Sequence, residues 1–544
     1  MINIVDGIVS FFNPEAGMRR AAARGVTEVI NGYDQGGASY QKKSMRGWIT
    51  SAVSPKDDID TSLETLRARS RDLFMNSPIG AAALKTAKTN VIGPGLKLKS
   101  RIDSATLGLS DEAADAWKRK VESEFALWAE SKYSDALRMN DFYDQQGIAF
   151  LSMLMNGDAF AVFRQAKRES WMPYGLRLHL IEADRISTPM GNGVLGTSVE
   201  GKAPNGNRII SGVEIDANGV LAAYHISNTY ATETGYSSSE LRSWVRVEAY
   251  GANTGRPNVL HLMEADRAEQ RRGVPLLAPV IETLKQITRY TEAELMASVI
   301  AGMFTVFIKS VGASSDNPLG TMVDPSQQVA PSDPTSYEMG NGAINVLGEG
   351  EEVQIANPAR PNGQFDPFVS ALSRYIGAAL EIPYELLLKS FQSSYSASRA
   401  ALLEAWKMFR MRRQWTAKEF CQPVYEEWLT EAVAIGRIRA PGFFNDPAIR
   451  RSWCKAEWNG PAPGQLDPVK EVTAAEKRIA NGLSTREREA IETNGSDFES
   501  NIQQQKRENS ILIDAGINPY PSAPPEPVDP NKEVRKENGE EDQT

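Results

Sequence analysis

Apolar positions recur along this chain with two different periods, and the places where the period changes divide it. Residues 59–75 and 78–90 repeat every three to four positions and read as helices, the second stopping at Val91-Ile92-Gly93-Pro94-Gly95. Residues 110–132 carry an apolar stripe of Trp117, Val121, Phe125 and Trp128, and residues 141–156 form a fourth helical stretch. Asp57, Asp58 and Asp60 precede the first helix; acids suit a helix N-terminus, so they read as a helix start and not as a metal site. Between residues 159 and 262 the repeat shortens to two. Strands are expected at 159–164, 176–181, 208–215, 220–227, 244–247 and 259–262, with Asn218-Gly219 as a hairpin turn.

A longer period returns at Pro275. Leu277, Val280, Ile281, Leu284, Ile287, Thr291 and Leu295 keep one face apolar in a helix expected to reach Gly302, about 40 Å long. A strand-like run at 304–308 follows, then a Pro/Gly/Ser-rich stretch at 312–341 that ends in an apolar run at 343–347. Asp366-Pro367 supplies an N-cap and a first-turn proline for a helix to 380. The loop 389–395 leads into a helix at 396–421, and Pro423 is expected to restart a helix that ends at Gly436. Three short helices close the pattern. The first covers 468–481, and Ser484 with Glu487 and Ser496 with Glu499 read as capping boxes for the other two. Residues 520–544 are Pro-rich and then acidic, and their composition predicts disorder. The fold class is α+β, mainly helical.

The chain has 544 residues, enough for three or four domains at about 150 residues each. Its net charge of −9 is not that of a default nucleic-acid binder, so any contact with DNA must be local or weak. Cys421 and Cys454 make no disulfide framework, which suits assembly in a reducing cytoplasm. His179, His225 and His261 lie too far apart for a local zinc pattern. The apolar N-terminus carries Asp6 and no basic segment, so it is not a secretory signal. The longest charge-free apolar run, 295–308, is too short to span a bilayer, and no membrane partner is expected.

Gly191-Asn192-Gly193-Val194-Leu195-Gly196 matches a dinucleotide fingerprint. Pro189 before it and Pro204 after it deny it the required strand and helix, so it reads as a loop. The chain has no phosphate-binding GxxxxGK[ST] and no GxSxG, so no catalytic residue, cofactor or metal is expected. The most basic helical stretch, 399–419, holds six basic residues and two acids. Arg399, Lys407, Arg410, Arg412 and Arg413 are its candidate phosphate contacts; from the residues alone a solvated face or subunit-pairing charges is the favoured account of them.

Four groups of residues resemble one family, the lambda-type phage portal proteins. The first group is Arg69-Ser70-Arg71-Asp72-Leu73 with Asn90 to Gly95. The second is Arg271-Arg272-Gly273-Val274-Pro275 through Pro279, then Ala293-Glu294-Leu295. The third is Ile382-Pro383-Tyr384-Glu385-Leu386, then Tyr395 to Leu402, then Pro423-Val424-Tyr425 and Trp428-Leu429. The fourth is Trp458-Asn459-Gly460-Pro461, then Asp467 to Glu471, then Gly495-Ser496-Asp497. They occur in family order over residues 60–515; the first 50 residues and the acidic tail match nothing in it.

The resemblance implies a portal fold with wing, stem, clip and crown, assembled as a ring of twelve copies at one capsid vertex. It implies an N-terminal arm at 1–60, a wing at 61–270, stem helices at 271–303 and 362–388, and a clip at 304–361. A tunnel loop at 389–395, a long helix and wing return at 396–467, a crown at 468–518 and an acidic tail at 519–544 complete it. Lys389, Ser390, Gln392, Ser393, Ser394 and Tyr395 are the implied DNA-proximal loop residues. The implied partners are further copies of the chain, the large terminase subunit, the major capsid protein, a head-completion or connector protein, and double-stranded DNA passing through the channel. The implied location is the virion's portal vertex, reached from the host cytoplasm. Twelve copies would carry about −108 formal charges, twelve times −9, a channel that lets DNA slide because it holds few phosphates. Two readings from other classes compete: an α+β enzyme acting on nucleic acid with the basic helix in its groove, and a scaffold or adaptor protein that forms no ring.

Overall fold

The computed structural model describes residues 14–16, 19, 43–45, 47–190, 198–231, 242–303, 306–310, 351–355, 363–391, 394–464 and 467–518. The chain divides into two units, Met1–Asp58 and Ile59–Thr544. In the first, Ser54 Oγ donates to an Asp57 carboxylate oxygen at 2.7 Å and closes a turn. The expected Gly191–Gly196 loop, the apolar run at 343–347 and the acidic tail lie outside the described residues.

The second unit opens with α1 (Leu63–Asn76) and α2 (Pro78–Val91). A wide turn, Lys56–Asp60, precedes α1, so regular helix starts later than residue 59. Ser77 separates the two helices, and its Oγ accepts the Gly80 N–H. Next come β1 (Lys97–Ser100), the short α3 (Ser104–Leu107) and α4 (Asp111–Ala129), with Ser110 capping α4. The helix α5 (Phe142–Asn156), capped by Asp141, completes the helical part.

Two residues after α5 ends, the period-two region begins and delivers two antiparallel sheets. One has the order β3-β2-β9, built from β2 (Asp158–Gln165), β3 (Leu176–Glu182) and β9 (Val259–Met263). The other is a meander of β4 (Glu200–Lys202), β5 (Arg208–Ile210), β6 (Val213–Ile215), β7 (Leu221–Ser227) and β8 (Trp244–Glu248). The single strand expected at 208–215 is thus two. Ser211 and Gly212 turn the chain through left-handed backbone, and a Cβ on Gly212 would sit 2.5 Å from the Ser187 nitrogen.

The helix α6 (Ile281–Met303) follows a short turn at Ala278–Val280, so it begins later than Pro275. It leads to the antiparallel pair β10 (Val306–Ser310) and β11 (Glu351–Ile355), which returns the chain to α7 (Phe365–Leu380). After α8 (Tyr384–Leu388), α9 (Tyr395–Thr416) runs for 22 residues. A wide turn, Ala417–Cys421, joins it directly to α10 (Gln422–Ala434). Pro423 therefore widens a continuous helix instead of restarting one. It has no N–H to give, and its ring needs space against the preceding turn.

The chain ends its described part with α11 (Pro447–Cys454), β12 (Ala456–Asn459), α12 (Pro468–Ala480), α13 (Arg486–Asn494) and α14 (Phe498–Asp514). The two expected capping boxes are each displaced by one residue. Thr485 accepts the Arg488 N–H and Asp497 accepts the Ser500 N–H. Glu487 and Glu499 are drawn away from the caps by Arg101 and Lys99.

One core joins the helices. Phe125 and Trp128 of α4, Phe142 of α5, Phe420, Tyr425 and Trp428 of the α9–α10 rod and Trp458 of β12 meet in mostly tilted or edge-on pairs. A second core lies between the sheets around Phe160, Ile181, Ile210, Tyr224 and Ile226. Strand β2 serves both, since Ala159 and Ala161 face the first core while Phe160 and Val162 face the second.

Candidate functional site

The loop before α9 is shaped by its two ends. Glu381, which ends α7, and Lys389, which ends α8, both take left-handed backbone, with φ of 58° and 53°. Each places its N–H on a carbonyl four residues back, Gly377 and Glu385 respectively. Gly377 is required there, because a Cβ would lie 2.5 Å from the Ile382 carbonyl oxygen. Ser390 repeats the bond to Glu385 at 3.0 Å, and Phe391 projects outward, 52% exposed. At the far end Ser394 caps α9 through its Oγ and the Ala397 N–H at 3.4 Å. Tyr395 is the first residue of α9 and not a loop residue; its hydroxyl meets Arg399 at 3.4 Å. Gln392 and Ser393 lie outside the described residues.

The cations of α9 do not form one row. Helical spacing puts Arg399, Arg410 and Arg413 along one side, with Trp406 between them, where the helix meets α12, α13 and β12. Lys407 faces elsewhere and pairs with Glu404 at 2.6 Å. Arg412, one residue from Arg413 and so about 100° around the helix, is buried and faces Glu264 at 3.3 Å. The expectation that Arg412 contacts phosphate is therefore corrected: its guanidinium is enclosed within the chain. Arg413 is half-buried and engaged as well. It donates to the carbonyls of Asn90 at 2.7 Å, Val91 at 3.1 Å and Pro461 at 2.8 Å. Burial lowers its pKa to about 10, and the neighbouring Arg410 adds to the effect.

Arg413 thereby explains why two distant segments share a pattern. Asn90 to Gly95 and Trp458 to Pro461 meet beneath it, and β1 pairs with β12 beside them, Leu98 opposite Trp458. Gly93 packs on the Pro461 ring, where a Cβ would be 3.0 Å away, and a Cβ on Gly460 would strike Leu96 and Arg413.

A second convergence was not legible in the sequence. Asp158, fully buried at the start of β2, accepts from Arg67 of α1 at 2.9 Å and from Arg272 at 2.6 Å. Burial pushes this carboxyl up, but Arg272 and Arg67 outweigh it and hold it well below the usual carboxylate range. Arg67 also donates to the Asn156 carbonyl, and Arg272 to those of Ala183, Ile186 and Ser211. Next to them Gly157 and Gly273 cross back to back; a Cβ on Gly273 would lie 1.8 Å from the Gly157 carbonyl oxygen. Arg272 and Gly273 thus tie α1, both sheets and the approach to α6 at one point. The signal available was an acid directly after a glycine and ahead of the apolar run Ala159–Phe163.

The pair α6 and α7 meets through Tyr290, which stacks on Phe365 at 5.7 Å and meets Phe368 edge-on at 4.9 Å. Farther along α6, beyond Tyr290, Leu295, Met296 and Val299 remain exposed, and Tyr375 is exposed on the part of α7 that runs from Phe365 back toward the start of α6. Exposed apolar side chains of this kind suit association with another surface. Among the described residues no helix is long and apolar enough to cross a membrane, and no group of three His, Cys, Asp or Glu side chains is placed to hold a metal ion.

Comparison with known proteins bears on this geometry. The model of the family described as "Phage portal protein, lambda family" matches residues 41–413. The chain is similar to the portal protein of Escherichia phage N15, 25% identical over 509 residues, covering 90% of this chain and 92% of that one. It is similar to portal protein B of Escherichia phage lambda, 25% identical over 513 residues, covering 90% and 91%. A probable portal protein of Halomonas phage phiHAP-1 is 23% identical over 419 residues, covering 76% and 74%. Among solved structures, a chain in the neck of a native gene transfer agent particle aligns with a TM-score of 0.40 at 12% identity, covering 79% of this chain and 92% of that one.

Proposed function

The chain belongs to the lambda family of phage portal proteins, and from that premise we propose that twelve copies close into a ring at one capsid vertex through which double-stranded DNA enters and leaves. The observation that carries this reading is the α6–α7 pair. Its Leu295, Met296, Val299 and Tyr375 stay exposed among the described residues of one subunit, and a head-to-tail neighbour in a closed ring covers them. In this reading α6 and α7 are the stem, the β10–β11 pair is the base of the clip at 304–361, and residues 61–270 form the wing. Residues 396–467 return to the wing, and α12 to α14 form the crown.

The clip receives the large terminase subunit and, after packaging, a head-completion or connector protein; the wing faces the major capsid protein. The ring assembles in the host cytoplasm and resides in the virion. Its role is structural, with the energy of packaging supplied by the motor that docks on it.

The loop between α8 and α9 is the part of each subunit that follows the DNA. Lys389, Ser390, Gln392, Ser393 and Ser394 offer one charge, hydroxyls and an amide, enough to touch phosphates without holding them. Replacing Gln392, Ser393 and Ser394 with glycine is expected to leave rings and proheads intact and to lower the fraction of proheads that retain full-length DNA. A packaging assay that scores protected genome length reads this. Unchanged packaging and retention would remove the loop from the mechanism.

A further inference from the structure

A groove runs along the side of α9 that carries Arg399, Trp406, Arg410 and Arg413. Its wider part, about 1070 Å³, lies between α9, α11, β12 and α13, and a narrower part of about 350 Å³ continues between α9, α12 and α13. The two share Trp406, Arg410, Pro463 and Glu492. Together ten Lys and Arg side chains and six Glu side chains line them, and Asp103, Glu419 and Asp467 pair from outside the lining with Lys455, Lys418 and Lys470, which leaves the positive charge concentrated at Arg399, Arg410, Arg413 and Arg451. Arg413 carries its charge there with neutral partners among the described residues, three carbonyls and the face of the Trp406 ring at 5.4 Å. Arg410 reaches Glu492 only at 3.7 Å, and Glu492 is also held by Arg488 at 3.2 Å.

We propose that this groove is the docking site of the chain's own residues 519–544. Three features of the chain support that occupant. Residues 519–544 hold seven acidic and three basic side chains, the complement of the groove. The start of α14 lies beside the groove, because Asp497 and Glu499 reach Lys99 of β1, two residues from the groove-lining Arg101. Finally, the lengths agree. The 17 residues of α14 carry the chain about 25 Å away, and the twelve residues from 519 to 530, six of them proline, have a reach of about 37 Å at the ~3.1 Å per residue open to a Pro-rich segment. That is sufficient to bring the acidic stretch 531–544 back to Arg410 and Arg451. Occupied this way, the groove is closed to duplex phosphates, and the most basic helix of the chain takes no hold on DNA. The proposal rests on the groove and the tail alone and stands apart from the ring reading.

Limited trypsin digestion of the full chain tests it, with mass spectrometry following release of the peptides beyond Lys532, Arg535 and Lys536. At 0.05 M NaCl release is expected to be at least about tenfold slower than at 0.5 M, where exposed charge pairs are screened. Two variants should abolish that protection at low salt: Arg410→Glu with Arg451→Glu in the groove, and Glu533→Gln with Glu537→Gln, Glu540→Gln and Glu541→Gln in the tail. The tail variant leaves every described residue unchanged, so its result does not depend on the stability of the groove. Equal release rates for wild type and the tail variant at both salts overturn the proposal. So does protection that survives the groove substitutions, which would place the tail elsewhere. Loss of duplex binding in the groove variant with tail cleavage unchanged would assign the groove to DNA and overturn it too.

Discussion

Glu214 sits in the middle of β6 with no exposed surface, and four side chains converge on it. Arg246 approaches at 2.7 and 3.0 Å, His225 at 2.9 Å, and Asn205 and Asn207 at 2.8 Å each. Burial alone would raise its pKa, but the hydrogen bonds from Arg246 and the two asparagines prevail and hold it at about 2. A carboxyl depressed in the folded state stabilises fully above its ordinary range and loses that contribution as pH falls from about 4.5 toward 2. Glu214→Gln is therefore expected to cost about 3–5 kcal/mol at neutral pH, the cost of breaking a buried pair. Urea denaturation at pH 7 and at pH 3.5 should show the gap to wild type narrowing in acid. A gap independent of pH would contradict the assignment. Neither Glu214 nor Asp158 was legible as a buried charge. Val213-Glu214-Ile215 has the alternation of a half-exposed strand, and only strand pairing brings Arg246 and His225 to it. Arg413 was found as a basic helical residue, yet two of its three carbonyl partners lie 322 and 323 residues earlier in the chain and the third 48 residues later.

At the scale of elements, chemistry between segments decided where local patterns ended. The periodicity located the longer helices closely except where another segment competed for a side chain or a carbonyl, and it missed the short α3, α8 and α11, which have too few turns to show a repeat. Helix α13 is the clearest case. Local sequence favours Ser484 with Glu487 as a capping box, but Glu487 forms a two-pronged pair with Arg101 at 2.8 and 3.1 Å. The helix begins one residue later on Thr485. Thr485→Ala is expected to destabilise α13 by about 1 kcal/mol. Hydrogen exchange at the Arg488 amide, which Thr485 accepts at 3.2 Å, should quicken about fivefold. Exchange at the wild-type rate would show that the cap carries no weight. The strand split at Ser211–Gly212 has the same origin, since Thr188 Oγ1 accepts the Gly212 N–H and Arg272 donates to the Ser211 carbonyl, neither of them a neighbour in sequence.

For the whole molecule, family membership was legible because the quoted segments are those that the fold brings into contact. Arg413 joins the first and fourth groups, and Arg272 and Gly273 of the second anchor the approach to α6. Among the described residues, apolar side chains stay exposed on α6 and α7, and along α14 at Ile502, Ile511 and Ile513. Both are accounted for when a neighbouring copy packs against them. The direct test is the mass of the purified, assembled protein by light scattering across a dilution series. A closed ring predicts a discrete species near twelve times 59.8 kDa, about 720 kDa, that persists on dilution because head-to-tail contacts close on themselves. A species of one or two copies at every concentration would contradict the account.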